Sequence, residues 1–167
     1  MKMLAALAVL VASPALATNG ALPKDQAIAL AFADSVASCA AEGGTLRLPE
    51  DDPATAVDLT GDGTADDWII YEAGAFCGPD LGYLGGSGGN YIHAVVGTSV
   101  SSWFGGAWVT QDVVFTPEGE ALPPRRVLLI AVHGSGCGSY GAAPCVVAAA
   151  WDGTRMISLA PDTANEN

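Results

Sequence analysis

The chain has 167 residues, half of them hydrophobic, and carries a formal net charge of −12 at pH 7. Such an acidic surface repels phosphate, so nucleic acid and anionic lipid, both held through Lys and Arg, are excluded as partners. The length suits one domain with a sizeable core.

The amino terminus reads as an export signal over residues 1–17. Lys2 supplies the positive start, Met3 to Ala12 an apolar core, and Ala15, Leu16 and Ala17 an A-x-A cleavage site. That apolar core falls well short of the roughly 20 residues needed to span a bilayer, so no stable membrane insertion is expected. Residues 18–167 then form a single mature domain with a periplasmic or secreted location. From Asp25 to Ala41 apolar residues recur at Ile28, Phe32, Val36 and Cys39, which predicts one helix with that face on the core. Gly43 and Gly44 end it, and Asp25 complements the helix dipole at its start.

Asp58 to Asp66 reads DLTGDGTAD, with carboxylates at loop positions 1, 5 and 9 around Gly63. Oxygen atoms at alternate positions of a tight loop suit a hard cation, so Asp58, Thr60, Asp62, the carbonyl of Thr64 and Asp66 are expected to hold one structural Ca2+. A plain turn needs only one or two such residues. Three aspartates at this spacing repel one another unless a cation neutralises them. Ile69 stands where an EF-hand has its bidentate Glu, so this is no EF-hand. The loop resembles the D-x-[DN]-x-D-G-x-x-D loops of FG-GAP and VCBS repeats, in which the metal loop joins two strands. Thr60 departs from that pattern and leaves three charged ligands, which places the expected dissociation constant at about 10⁻⁴ to 10⁻³ M.

Strands are predicted at Trp68 to Glu72, Tyr91 to Gly97, Ala107 to Phe115, Arg126 to His133, Cys145 to Trp151 and Arg155 to Leu159. Asp152 with Gly153 marks a hairpin between the last two. Glu118 to Pro124 reads as a surface connection. The tract from Ala73 to Asn90 is glycine-rich and without periodicity, so it is expected to be an irregular loop. Its GGSGG around Ser87 satisfies G-x-S-x-G formally, but no buried strand precedes it and no helix follows, so no nucleophile elbow is assigned.

Four cysteines, Cys39, Cys77, Cys137 and Cys145, follow the signal, an even number in an oxidising destination. Of the three possible pairings, Cys39 with Cys77 and Cys137 with Cys145 are preferred. A zinc site is disfavoured by the absence of any C-x-x-C pair. His133 and Ser135, two residues apart at a strand end, form the one arrangement with nucleophile and base so close in sequence. Trp103, before Gly105 and Gly106, is the tryptophan expected to be exposed for partner contact.

The mature chain resembles a group of short exported bacterial proteins with an early helical cysteine, one such calcium-type loop and a terminal series of H-G-x-x-C-G, Cys and W-D-G. The matching residues are Cys39, Asp58 to Asp66, Cys77, His133, Gly134, Cys137, Gly138, Cys145, Trp151, Asp152 and Gly153. The resemblance implies a compartment and a framework, and no activity. The expected fold is α+β, an antiparallel β-sheet with one amino-terminal helix packed on it, stapled by two disulfides. The expected role is a binding module for a protein or glycan, with no catalytic residue assigned. A small hydrolase using His133 and Ser135, and an inhibitor of an exported enzyme, are the alternatives.

Overall fold

The computed structural model describes residues 21–78, 82–114, 124–141 and 143–159. The expected export signal at residues 1–17 and most of the expected Glu118 to Pro124 connection lie outside them. The protein is α+β and mostly antiparallel sheet, with two helices and two disulfides. No helix among the described residues is long and apolar enough to cross a membrane.

The expected single helix is two, α1 at Lys24–Ala31 and α2 at Ala33–Ala41. They meet at Phe32, whose φ of −87° and ψ of 1° leave the helical region. The break turns the bulky ring fully into the core, and the buried set becomes Ala27, Ala31, Phe32 and Cys39 while Val36 is exposed. Alanines at the contact let α1 approach the sheet closely. Gly43 ends the pair at φ 80°, a conformation that costs glycine little.

The main sheet contains β2 (Ala54–Val57), β3 (Asp67–Tyr71), β6 (Asn90–Val96), β7 (Ser99–Val113), β8 (Arg125–His133), β9 (Pro144–Trp151) and β10 (Met156–Ser158). Its order is β10-β9-β8-β7-β6-β3-β2, antiparallel throughout. A smaller sheet joins β1 (Thr45–Arg47), β4 (Phe76–Gly78) and β5 (Gly82–Tyr83) in the order β1-β4-β5. The last two strands lie in the tract expected to be irregular, where two or three residues are too few to show alternation.

Successive strand side chains face opposite sides, and each side of the main sheet has its own core. Ile69, Ile92, Ala94, Leu128, Ile130, Ala149 and Met156 belong to one cluster with Leu59. Leu59 follows one edge strand and Met156 lies in the other. The Ser101 hydroxyl also donates to the Met156 carbonyl at 3.5 Å. The sheet is therefore rolled around this cluster. Ile70 and Val95 face the other way, onto Ala27, Ala31 and Phe32. The bend is made in β7, which slips register between Gly105 and Ala107. A Cβ at Gly105 would lie 2.6 Å from the Ala131 carbonyl oxygen, so the close crossing needs glycine there.

Both preferred disulfides are present. Cys39–Cys77 ties α2 to β4, and Cys137–Cys145 closes the 3₁₀ turn Gly134–Cys137 onto β9. The β9–β10 hairpin uses four connecting residues, and Asp152 Oδ1 accepts from the N–H groups of Thr154 and Arg155. Those bonds hold the Asp152 carboxyl below its usual range.

Candidate functional site

The Asp58 to Asp66 loop connects β2 to β3. Asp58 organises it: Oδ1 accepts from the Gly61 N–H at 2.6 Å and Oδ2 from the Gly63 N–H at 3.0 Å. Gly63 has φ 92°. The Thr60 hydroxyl lies 3.5 Å from Asp58 Oδ1, and Asp62 accepts from the Thr64 N–H at 2.8 Å. Among the described residues, no three His, Cys, Asp or Glu side chains are gathered as metal ligands. The donors suit a hard cation in kind, but the three carboxylates do not converge in this conformation.

The carboxylate that fastens the loop is one that sequence reasoning passed over. Asp67 is buried at the start of β3, and its Oδ2 accepts from Leu59 N–H at 2.8 Å and Thr60 N–H at 3.2 Å. Burial pushes the Asp67 carboxyl upward, against the lowering effect of the two N–H bonds, and repulsion from Asp66 and Asp58 adds to the rise.

His133 ends β8, and its Nδ1 lies 3.1 Å from the Ser135 Oγ. The ring rests on glycines: a Cβ at Gly88 would lie 3.4 Å from it, and one at Gly141 would overlap it. A cavity of about 690 Å³ opens beside it, lined by residues that include Ser87, Gly106, Ala131 and Val146. None of the residues lining that cavity is acidic. The pair named in the alternative hydrolase reading is thus adjacent, but no carboxylate among the described residues lining the cavity orients the imidazole. Trp103 is half-buried against the rolled core instead of standing free. The exposed aromatic residues nearby are Tyr91, at 47% exposure, and Phe104, at 39%.

A second cleft, of about 320 Å³, lies between α2 and the helix-facing side of the sheet. Its walls include Asp34, Ser35 and Ser38 from α2, Tyr91 and His93 from β6, and Ser102 from β7. Strand alternation builds it. Glu72, one residue beyond β3, shares the side of Ile70; His93 shares the side of Val95; Ser102 stands directly opposite His93 in the β6–β7 ladder. The Glu72 N–H donates to the Tyr91 carbonyl at 3.0 Å, which extends the β3–β6 register by one step. Three neighbouring strands thus place a carboxylate, an imidazole and a hydroxyl in a row.

The distances are short. His93 Nδ1 lies 2.7 Å from Ser102 Oγ, and His93 Nε2 lies 3.1 Å from Glu72 Oε1. That second contact is at ion-pair distance without hydrogen-bond alignment. The Ser35 hydroxyl donates to the same Glu72 Oε1 at 2.8 Å, while Oε2 has no hydrogen-bond partner among the described residues. Glu72 is only 1% exposed and His93 is also buried. A buried carboxylate left alone is costly, so the imidazole and the serine stabilise it where it sits. Tyr91 stacks on the His93 ring at 5.9 Å and meets Phe104 edge-on at 5.5 Å. Gly85 closes the cleft at φ 99°, where a Cβ would collide with the Asn90 side chain.

A sequence signal for this site existed. Trp68, Ile70 and Glu72 form one side of a predicted strand, and an acidic residue ending an inward-facing series calls for a buried partner. Comparison with family models, curated proteins and solved structures gives no match, so the site is read from its own residues.

Proposed function

We propose that the protein is an exported binding module, periplasmic or secreted, that takes a neutral sugar at the cleft beside Tyr91. The observation that carries this reading is an exposed aromatic ring, braced by His93 and Phe104, bordering a cleft rimmed with serine and aspartate side chains. A flat ring stacks on the apolar face of a sugar, and short hydroxyl and carboxylate groups bond its hydroxyls. The acidic surface disfavours anionic ligands. Titration with cellobiose, followed by NMR, is expected to shift Tyr91, Ser38 and Leu84. Tyr91→Ala is expected to weaken binding at least about tenfold, through loss of stacking worth about 1.5 kcal/mol. Shifts distributed evenly over the surface would refute the reading.

One structural Ca2+ at Asp58, Thr60, Asp62, Thr64 and Asp66 is part of the same proposal. Its support is the oxygen-only donor set and the left-handed Gly63; because the carboxylates are not gathered, binding has to reorganise the loop. Calcium at about 100 times its dissociation constant is expected to add about 2.7 kcal/mol to stability. That is read as a rise in melting temperature, abolished by Asp58→Ala. An unchanged melt at that concentration would refute the calcium site.

A further inference from the structure

We infer that Ser102 is a nucleophile, His93 its general base and Glu72 the positioning residue for His93, and that the cleft hydrolyses short acyl esters carried on a neutral sugar. The sugar part of this inference rests on the binding reading above; the nucleophile rests on the Glu72, His93 and Ser102 geometry alone.

The required parts are a hydroxyl open to substrate, a base within about 2.6 to 3.2 Å of it, and a third group orienting the base. Ser102 is exposed, and its Oγ lies 2.7 Å from His93 Nδ1. Glu72 Oε1, fixed by the Ser35 hydroxyl at 2.8 Å, faces Nε2 on the other side of the ring. A proton on Nε2 is favoured beside that carboxylate, which leaves Nδ1 to accept from Ser102. The ring is held additionally by Tyr91. The His133 and Ser135 pair has the hydroxyl and the base but lacks such a third group among the residues lining its cavity.

The reaction balances with water as the only co-substrate. Ser102 Oγ attacks the acyl carbon as its proton passes to His93 Nδ1, and the carbonyl π pair moves onto oxygen. The tetrahedral intermediate collapses, the bond to the sugar oxygen breaks, and that oxygen takes the proton from His93. Water then gives a proton to His93 and attacks the acyl-serine; the carboxylic acid departs and Ser102 Oγ recovers its proton. At about 320 Å³ the cleft sits at the lower end of the roughly 300–1,000 Å³ typical of small-molecule sites, which favours a short acyl group.

The test combines a fluorophosphonate probe, located by peptide mass mapping, with hydrolysis of 4-nitrophenyl acetate and of acetylated cellobiose. The adduct is expected on Ser102, absent in Ser102→Ala and unchanged in Ser135→Ala. His93→Gln is expected to slow hydrolysis by about 10²- to 10⁴-fold. Glu72→Gln is expected to lower kcat with little change in KM, a split that a purely structural role would not give. Tyr91→Ala is expected to raise KM more for acetylated cellobiose than for 4-nitrophenyl acetate, because only the sugar stacks on that ring. Absence of a Ser102 adduct in the folded protein overturns the nucleophile, even if cellobiose still shifts Tyr91. Turnover of 4-nitrophenyl acetate with acetylated cellobiose untouched supports the nucleophile and overturns the sugar substrate. Neither adduct nor cellobiose shifts overturns both.

Discussion

Replacing Cys39 and Cys77 together by alanine is expected to lower the folding free energy by about 4 kcal/mol, the loop-entropy value for a bridge of this span. The two residues are 38 apart in sequence, with Cα atoms separated by 5.7 Å. Both sulfurs are enclosed: a Cβ on Gly44 would lie 2.6 Å from the Cys77 sulfur and 2.9 Å from that of Cys39. The consequence reaches the cleft, because Cys39 is the only buried residue of α2. Without the bridge, little apolar surface fixes the helix that delivers Ser35 to Glu72. Urea denaturation of the double variant reads the loss, and a change below about 1 kcal/mol would show that packing alone seats α2. The Cys137–Cys145 bridge has a sequence separation of only 8 and is expected to contribute less, about 2.5 kcal/mol.

Leu128→Ala is the second large effect, expected at about 2 to 5 kcal/mol. Leu128 lies in β8, fully buried within the rolled core. Its partner across the β8–β9 ladder is Ala149, too small to close the void. Val146→Ala, in the adjoining strand but 63% exposed, is expected to change stability by less than about 0.5 kcal/mol. Equal losses from the two variants, measured by urea midpoint at constant slope, would contradict the assignment of the core to the inner side of the roll.

Local chemistry made much of this fold legible. Val127 to Val132 and Tyr91 to Val96 are apolar and β-branched enough to announce strands, and Asp152 with Gly153 announced the turn between β9 and β10. The pairing preferred among the three, a local clip and a bridge from the helix, is the one present. What escaped reading depends on contacts between distant residues. Phe32 lies on the core face that periodicity within residues 25–41 predicts, but the break in the helix at that residue, and the exposure of Val36 beyond it, do not show in that spacing. The first half of β7, Ser99 to Gly105, has three serines, two of them adjacent, which break any alternation, and it reads as polar until β6 is placed beside it. Asp66 had the right spacing for the loop, yet the neighbouring Asp67 is the carboxylate turned inward to hold it. Glu72, His93 and Ser102 span 31 positions, and only the register of three strands makes them neighbours. His133 and Ser135, close in sequence, drew attention that their surroundings do not sustain.

The bent strand β7 also has a bearing on how the molecule assembles. Among the described residues its first half pairs with β6 and its second half with β8, Gly105 facing both, so the ladder between the two ends of the main sheet runs through this one strand. Most neighbouring strands are also consecutive in the chain; the exception is β3 with β6, between which β4 and β5 are inserted. Two hairpins can therefore form from nearby residues at small loop-closure cost and then share β7 as a common member. Neither hairpin alone encloses the rolled core, because Leu59 and Met156 approach it from opposite edges. Cooperativity is thus concentrated at the Gly105–Gly106 bend: until it forms, each half has an exposed apolar side, and once it forms the two sides seal each other.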